Sequence, residues 1–452
     1  MKASSAMSSL RAKLGGETSI VAGTMIIQTG LRLVGSMVMT RLLSAEAFGV
    51  VGVITSVIVT FGLLSDIGIT AFIVRHRGAE DADFIDELWT LRLIRSIFLT
   101  AVILSLSYPV SYFLGKPELQ YAIALSSFYF IIEGLDSLGA ILALRGRQQK
   151  RLSQLDLLAQ TLNLAFTIIL AVILRNFWAI LIGNLAGQML RVWLSYHMFP
   201  DVKHRWRFSR DRAWEMWKFS RFITGSTILT LIISQTDKVV LAKVFSLETF
   251  GLYIVAAGLA AVPVGVASAY GGRILLPRFG EIARNCPENL HQAYYAQRIK
   301  VHLLYACGVG LLAGCAPMTI EILYDSRYQH AAFYFQLLLL GSFFSFGNIA
   351  ANDVMIVKGN SYFTLASNIV RLSFLCIVGS LAYHNYGPLG LIVTVAMIEL
   401  VAQVYAWIIL RKHGLLTLSL EVSIIGSGIS GFALGTVINV ILLSLARSNG
   451  LM

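Results

Sequence analysis

The sequence predicts an all-α membrane protein with two six-helix halves, and three observations lead to this fold class. First, 56% of the 452 residues are hydrophobic and only 13% are charged, with a mean hydropathy of +0.73, which is too apolar for a soluble domain. Second, the apolar residues fall into runs of about 20, the length that a helix needs to cross about 30 Å of hydrocarbon. Third, a motif from the first half returns in the second. We therefore expect parallel repeats around a central cavity, with 12 to 14 spans.

Thirteen apolar runs are long enough to be spans. None has the ten-residue alternation of an outer-membrane barrel strand. Twelve runs divide equally between the halves, and the thirteenth would be an extra C-terminal helix. The predicted spans are 18–40, 47–74, 92–114, 119–144, 155–174, 177–199, 218–243, 248–275, 299–322, 331–357, 362–384, 387–411 and 421–446.

The repeated motif lies at the turn after the first span of each half. Residues 41–50 read RLLSAEAFGV, and residues 243–252 read KVFSLETFGL. In both copies a serine stands two positions before a glutamate at the start of an apolar run. This pattern is typical of a helix N-cap followed by a first-turn carboxylate. We therefore predict that a new helix starts at Ser44 and another at Ser246.

The repeat divides the chain into four parts. They are an N-terminal half (1–199), a basic cytoplasmic linker (200–217), a C-terminal half (218–411) and an extra C-terminal helix (412–452). Glycines of the extra helix would allow a close helix contact. These are Gly426, Gly428, Gly431 and Gly435.

Lysine and arginine indicate the orientation. With the N-terminus inside, 26 of the 36 basic residues fall in cytoplasmic segments, six fall in external turns and four lie within spans. The N-terminus is therefore predicted to be cytoplasmic. The net charge of +12 then reflects topology and contact with anionic membrane lipids, and we expect no nucleic-acid partner.

Two cytoplasmic segments have a distinctive composition. The elbow from Asp81 to Arg95 carries Phe84, Leu88 and Leu91 on one helical face and predicts an interfacial helix. The linker from Lys203 to Lys218 mixes basic and aromatic residues, and we expect it to lie on the inner leaflet.

The chain lacks the usual signatures of catalysis and cofactor binding. It has no phosphate-binding glycine loop, no histidine and carboxylate cluster with metal-ligand spacing, and no cysteine spacing that predicts zinc or a disulfide. The loops are too short for a catalytic domain. We therefore expect no cofactor, no metal and no enzymatic activity.

Several motifs together resemble the bacterial Wzx-type oligosaccharide flippases, a polysaccharide transporter branch of the multidrug/oligosaccharidyl-lipid/polysaccharide exporter superfamily. They are Thr40–Gly49 (TRLLSAEAFG), Gln235–Lys238 (QTDK), Ser246–Tyr253 (SLETFGLY), and the basic-glycine pairs Arg145-Gly146 and Lys358-Gly359 that end spans four and ten. The similarity runs along essentially the whole chain.

The resemblance implies a function. It implies a flippase of the bacterial inner membrane that moves undecaprenyl-diphosphate-linked oligosaccharide from the cytoplasmic to the periplasmic leaflet by alternating access. The products would be exopolysaccharide, capsule or O-antigen. A polysaccharide polymerase and co-polymerase become candidate partners, beside the membrane lipids.

Charged and amide side chains within the spans are the candidates for the transport path. A charge in hydrocarbon costs about 2.5–3.5 kcal/mol even on the lenient insertion scale, so it normally faces a cavity or a partner. Arginine matches a diphosphate best because its guanidinium can donate two parallel hydrogen bonds. We predict that substrate contacts come from six residues: Arg32, Arg191, Arg371, Gln28, Asn163 and Asn352. The amides are also candidates for simple helix packing.

Four further charged residues are candidates for coupling transport to an ion: Asp66, Glu133, Asp237 and Lys238. In a second interpretation Asp237 and Lys238 neutralise each other, and Lys238 and Arg191 reach towards a membrane interface. One-way transport by downstream polymerisation, without any coupling ion, stays open as well.

Three other functions fit parts of the pattern. A cation-coupled drug antiporter of the same superfamily would favour a carboxylate-rich cavity, whereas buried arginines favour an anion. A lipid II flippase would fit the chemistry but resembles chains with fourteen spans. A membrane polysaccharide polymerase or ligase would need a large external loop, and the external loops here are short.

Overall fold

The computed structural model describes residues 23–76, 78, 81–146, 148–360 and 362–448, and for 222–224, 226, 287 and 443–448 it describes the backbone alone. The described residues form helices and no strand. The helices are α1 (23–42), α2 (Ala45–Leu64), α3 (Ile69–Arg75), α4 (Ala82–Phe113), α5 (Gln120–Gly134), α6 (Gly139–Arg145), α7 (Gln149–Leu174), α8 (Trp178–Met198), α9 (Arg210–Val244), α10 (Leu247–Tyr270), α11 (Leu276–Asn285), α12 (Leu290–Gly314), α13 (Ala316–Leu323), α14 (Ala331–Val357), α15 (Tyr362–Phe374), α16 (Ser380–Lys412) and α17 (Leu418–Ser448).

The helix starts predicted from the repeated motif are confirmed. Ser44 is the N-cap of α2, and its hydroxyl accepts a hydrogen bond from the Ala47 N–H at 3.3 Å. Ser246 caps α10 in the same way and accepts from the Thr249 N–H at 3.2 Å. Each cap satisfies a backbone donor that has no partner within the first helical turn.

Several predicted spans are bent or broken in the structure. The predicted span 47–74 stops at Leu64, and its last residues form the separate helix α3. The pair α5 and α6 is bent by 56°, and the pair α12 and α13 by 74°. Short π-helical segments at Gly271–Leu275 and Leu375–Gly379 continue the axes of α10 and α15. Continuous apolar sequence did not reveal these breaks.

The protein is a multi-pass membrane protein. Among the described residues, seven helices are long and apolar enough to cross a membrane, and two bent pairs raise this number to nine. One of the seven, the stretch Tyr362–Lys412, contains two predicted spans, 362–384 and 387–411. Gly387 separates them with a φ of 63° and a ψ of −150°. The remaining predicted spans correspond to α1, α8 and α9, although residues 18–22 of the first lie outside the described part of the chain.

The chain folds as two compact units. Unit 1 is Met1–Leu231 and unit 2 is Ile232–Met452, so the division falls within α9. The predicted four-part division, with an N-terminal half at 1–199 and a C-terminal half from 218, stays a prediction.

The elbow is not a separate interfacial helix, because it forms the first turns of α4. Phe84 and Leu88 are fully buried and pack against Ile69, Phe72 and Ile73. The predicted apolar face is therefore present, but short helix α3 covers it.

The linker that follows α8 is attached to the elbow. The Arg205 N–H donates to Asp86 at 2.9 Å, and the Arg207 N–H donates to Thr90 at 3.0 Å. The His204 ring stacks on Trp89 with 5.4 Å between centroids. Four aromatic residues of the linker segment stay exposed, namely Trp206, Phe208, Trp214 and Trp217. Its contact with the inner leaflet stays a prediction.

The extra C-terminal helix α17 makes an extensive contact with α12 in unit 2. A Cβ at Gly431 would lie 2.2 Å from the Cys307 carbonyl oxygen, and one at Gly435 would lie 2.4 Å from that of Leu311. Gly428 lies as closely against Phe343. The predicted glycine contact is confirmed for these three positions. It is wrong for Gly426, which has no atom within 4 Å of an added Cβ.

Candidate functional site

Each unit contains a polar pocket lined by residues of that unit alone. The unit 1 pocket has a volume of about 690 Å³ and is lined by residues of α1, α2, α5, α7 and α8. The unit 2 pocket has a volume of about 510 Å³ and is lined by residues of α9, α10, α14, α15 and α16. Both volumes lie within the range of about 300–1,000 Å³ that is usual for small-molecule sites.

Arg191 is the most strongly paired cation in the unit 1 pocket. Its Nη1 donates to Asp156 Oδ1 at 2.8 Å, and its Nε lies 3.5 Å from Asp136 Oδ2. These carboxylates belong to α7 and to the loop after α5, so the guanidinium joins three parts of unit 1. The pairing offsets the desolvation of a charge that would otherwise be costly in hydrocarbon.

Arg32 and Glu133 line the same pocket without such partners. The Arg32 side chain is exposed, and within the described part of the chain it makes no hydrogen bond or ion pair. The half-buried Glu133 carboxylate likewise has no hydrogen-bond partner there. Within the described residues, the pocket therefore offers a ligand one guanidinium and one carboxylate that make no hydrogen bond or close ion pair.

The two amides predicted in unit 1 also hold its helices together. Gln28 uses its backbone oxygen to accept from Gln160 Nε2 at 3.0 Å, which ties α1 to α7. Asn163 Oδ1 accepts from the Thr167 hydroxyl at 3.3 Å and lies against Gly187. Asn163 thus occupies the close contact between α7 and α8 while it lines the pocket.

In unit 2, Arg371 forms a two-pronged ion pair with Glu399. Nε donates to Oε1 at 3.0 Å and Nη2 donates to Oε2 at 2.9 Å. Nη1 donates to the Ser367 hydroxyl at 2.9 Å, and Asn348 Nδ2 donates to Glu399 Oε2 at 2.6 Å. The guanidinium N–H groups at Nε and Nη2 of Arg371 are therefore already bonded to a carboxylate of the same unit. An anion could bind them only by displacing Glu399.

Asp237 and Lys238 form a second neutral group in this pocket. Lys238 Nζ lies 3.4 Å from Asp237 Oδ1 and donates to the Ser234 carbonyl at 2.6 Å. The buried Tyr253 hydroxyl donates to the other Asp237 oxygen. This geometry is the mutual neutralisation that we considered from the sequence.

Nine of the ten residues predicted from the sequence line one of the two pockets. Unit 1 contains Gln28, Arg32, Glu133, Asn163 and Arg191, and unit 2 contains Asp237, Lys238, Asn352 and Arg371. Asp66 lines neither, because it follows α2 and accepts the Gly68 N–H at 2.9 Å. Whether the nine contact substrate or an ion stays a prediction.

Sequence reasoning left the partners of these charges out of the predicted site. Asp156, Tyr253, Asn348 and Glu399 come from helices other than those of the groups they bind. Their intramembrane polarity was visible in the sequence, but no helical spacing links positions 371 and 399 or 191 and 156.

The pockets have corresponding positions in the two units. In order along the chain, the first, second, fourth, fifth and sixth long helices of each unit contribute side chains, and the third, α4 or α12, contributes none. In each unit a polar pocket is therefore lined by helices of the same order along the chain.

Residues 38–333 match the model of a protein family described as "Polysaccharide biosynthesis protein". The chain belongs to this family. Among its polysaccharide biosynthesis relatives, the succinoglycan biosynthesis transport protein ExoT of Rhizobium meliloti (strain 1021) is 22% identical over 67% of this chain and 60% of its own. The amylovoran biosynthesis protein AmsL of Erwinia amylovora is 23% identical over 56% of this chain and 66% of its own. The chain thus spans somewhat less than two thirds of either relative.

Solved structures show which fold this polysaccharide biosynthesis protein has. The lipid II flippase MurJ, in an inward closed conformation, aligns with a TM-score of 0.73 at 12% identity, over 93% of this chain and 92% of its own. An inward-facing multidrug resistance transporter of the MATE family and MOP superfamily aligns with a TM-score of 0.66 at 17% identity, over 87% of this chain and 97% of its own. The chain therefore shares its fold with these two solved structures.

Proposed function

We propose that this protein is a flippase for undecaprenyl-diphosphate-linked oligosaccharide. It moves the repeat unit from the cytoplasmic to the periplasmic leaflet of a bacterial inner membrane, by alternating access, for the assembly of a cell-surface polysaccharide. The polymerase and co-polymerase of the same pathway are proposed partners. The family and the fold are consistent with this assignment, as is the name of the relative ExoT, a succinoglycan biosynthesis transport protein.

The observation that carries the proposal is that the Arg32 guanidinium makes no ion pair with any described residue. A lipid-linked diphosphate is an anion, and it needs a cation that is not already paired. Arg32 meets this need, since no described residue pairs with it and it lines a polar pocket of sufficient volume. Arg191 lies in the same pocket and could add a second contact when Asp136 and Asp156 release it.

The test compares cells that lack the protein with cells that carry its variants. Loss of the protein should abolish the surface polysaccharide while the lipid-linked oligosaccharide accumulates. Arg32→Ala should give the same phenotype at normal abundance, and Arg32→Lys should retain partial export because it keeps the charge and loses the fork. Arg411→Ala, at the exposed end of α16, is the matched control and should export normally. Normal export with Arg32→Ala would exclude this guanidinium as the diphosphate contact.

A second candidate function is cation-coupled antiport of a small molecule. The Glu133 carboxylate in the unit 1 pocket favours it, because a carboxylate that makes no hydrogen bond or close ion pair among the described residues can take up a proton or another cation. Uptake measurements in membrane vesicles separate the two functions. An antiporter would exchange a cationic dye for protons and lose this exchange in Glu133→Gln, whereas a flippase would not move the dye.

A further inference from the structure

The unit 2 pocket contains four charged side chains, and all four are neutralised within the pocket. Arg371 is held by both oxygens of Glu399, and Lys238 lies against Asp237. Neither a cation nor an anion would find an unused charge there. A coupling ion would need the Asp237 carboxylate, and the Lys238 ammonium group already lies beside it.

Most of the remaining polar lining consists of hydroxyl and amide groups. They are Ser268, Ser342, Ser345, Asn348, Asn352, Thr364 and Ser367. Side chains of this kind donate and accept hydrogen bonds without carrying charge. They alternate with apolar positions such as Ala257, Ala261 and Val264, which offer surface to the C–H groups of a ligand.

Three of these groups keep unused hydrogen-bonding capacity. Asn348 is 6% exposed, and its Oδ1 is buried with no partner among the described residues. Both partners of its Nδ2 are acceptors, the Glu399 carboxylate and backbone oxygens, so the amide orientation is set by the network. Asn352 binds the Thr364 hydroxyl through Oδ1 at 2.6 Å, which leaves its Nδ2 available. The Ser268 hydroxyl is exposed and has no bond within the described part of the chain.

These groups form a pocket with an unused acceptor, an unused donor and no unused charge. A buried acceptor without a partner has lost its hydrogen bond to water, so a ligand hydroxyl that donates to Asn348 Oδ1 would replace that lost bond. The same kind of group can accept from Asn352. Polyhydroxylated molecules supply several such hydroxyls at once.

We propose that the unit 2 pocket is a subsite for the hydroxyl groups of uncharged sugar residues in the transported oligosaccharide. The proposal rests on the proposed function and divides recognition between the units. Unit 1 binds the diphosphate through Arg32, and unit 2 binds sugar through Asn348, Asn352 and Thr364. Asp237 and Lys238 then serve to keep the pocket neutral, and they are not an ion-coupling site.

Calorimetric titration of the full-length protein in lipid nanodiscs tests this division with two soluble or dispersible probes. One is undecaprenyl diphosphate without sugar. The other is the free repeat-unit oligosaccharide, released by mild acid from the lipid-linked precursor of the host cell. Thr364→Val and Asn352→Leu should each weaken oligosaccharide binding about tenfold and leave diphosphate binding unchanged. Arg32→Ala should do the reverse.

Thr436→Val, at a half-buried position of α17, makes the same chemical change outside both pockets and should alter neither titration. The subsite is excluded if both pocket variants bind the oligosaccharide like the wild type, or if the wild type binds no free oligosaccharide. It is also excluded if Thr364→Val abolishes a binding of Na⁺ that the wild type shows, because the pocket would then be a cation site. Failure of the wild type to bind the intact lipid-linked precursor would instead overturn the proposed function itself.

Discussion

At the scale of single residues, the carboxylates decide which cations are available to a ligand. Glu399 accepts from Arg371 and Asn348, and Asp156 accepts from Arg191, whereas Arg32 has no acidic partner among the described residues. Three arginines that look equivalent in the sequence are therefore in different electrostatic states. Only one of them can bind an anion without first losing a carboxylate.

The Glu399 carboxylate should be needed to hold Arg371 in place. Glu399→Gln leaves a guanidinium that is only 15% exposed without its counter-charge. Loss of one partner of a fully buried pair costs about 3–5 kcal/mol, and the partial exposure here reduces the expected loss to about 1–3 kcal/mol. Thermal unfolding of the purified protein in detergent should show a lowered Tm.

The matched control is the double variant Glu399→Gln with Arg371→Met. It removes the stranded charge and should recover part of the lost Tm, because the two effects are coupled through one contact. If the double variant instead lost as much Tm as the two single variants together, the ion pair would not stabilise the protein.

His204 in the linker should make the stability of unit 1 sensitive to acid. Burial lowers the pKa of His204 to about 4, with a raising effect of Asp86 and Asp136 and a lowering effect of Arg92. Its Nε2 accepts the Leu138 N–H at 3.2 Å, which requires the neutral ring. In the unfolded chain the His204 imidazole has a pKa of about 6.5, so between pH 6.5 and 4 it is protonated in the unfolded state and neutral in the folded state.

The contribution of the neutral ring is therefore complete above about pH 6.5 and is lost as the pH falls towards 4. His204→Gln keeps an acceptor and cannot titrate, so its Tm should fall less steeply over this interval than that of the wild type. The expected difference corresponds to about 1–2 kcal/mol, since the ring is only partly buried. Parallel Tm curves for the two proteins would show that His204 does not titrate as described.

At the scale of helices, close contacts between small residues fix which helices pair. In unit 2 the contact between α12 and α17 brings Gly431 against a carbonyl of the neighbouring backbone, and backbone cannot move aside as a side chain can. Arg298 and Glu421 add a fully buried ion pair between the same two helices. The extra helix is thus an integral part of unit 2.

Gly431→Ala should destabilise the protein, since its Cβ would lie 2.2 Å from the Cys307 oxygen and the helices would have to separate. The expected loss is about 1–3 kcal/mol, as for other overpacked sites. Gly426→Ala is the matched control on the same helix, with open space around the added methyl group, and should be neutral or slightly stabilising. The Tm in detergent distinguishes the two, and similar values for both variants would contradict the close contact.

Local chemistry explains which elements were predictable. Ser44 and Ser246 cap helices because the cap depends on residues within one turn, all of them adjacent in sequence. The elbow showed its apolar face, but the partner that covers it is α3, and the turn at Gly68, with a φ of 67°, that separates α3 from α2 was not predicted from the sequence. The π-helical segments and the bend after α5 depend on packing between distant positions and were missed for the same reason.

At the scale of the whole molecule, membrane orientation follows from the distribution of basic residues and has a direct chemical test. Asn385 is exposed between the predicted spans 362–384 and 387–411, on the side predicted to be external. A cysteine at this position, in a background with Cys286→Ser, should react with an impermeant thiol reagent added to intact cells. The wild-type Cys286 is also exposed but lies in a predicted cytoplasmic segment, so it should react only after lysis. The opposite pattern would reverse the orientation.

The sequence predicted most of the residues that line the pockets, but it did not predict which of them pair with one another. Intramembrane polarity selected nine pocket residues, because a charge or amide in hydrocarbon needs a cavity or a partner. The sequence could not tell which alternative applied. Arg371 has a partner, whereas Arg32 has none in the part of the chain that the structure describes, and this difference depends on helices that meet only after folding.

Flipping by this chain alone is tested most directly in proteoliposomes that contain the purified protein and the lipid-linked oligosaccharide. A membrane-impermeant glycosidase added outside digests only the sugar in the outer leaflet. With the wild-type protein, the pool in the inner leaflet should also become digestible over time, and with Arg32→Ala it should stay protected. An inner pool that stays protected with the wild-type protein, in sealed vesicles with or without an ion gradient, would contradict the assignment as a flippase.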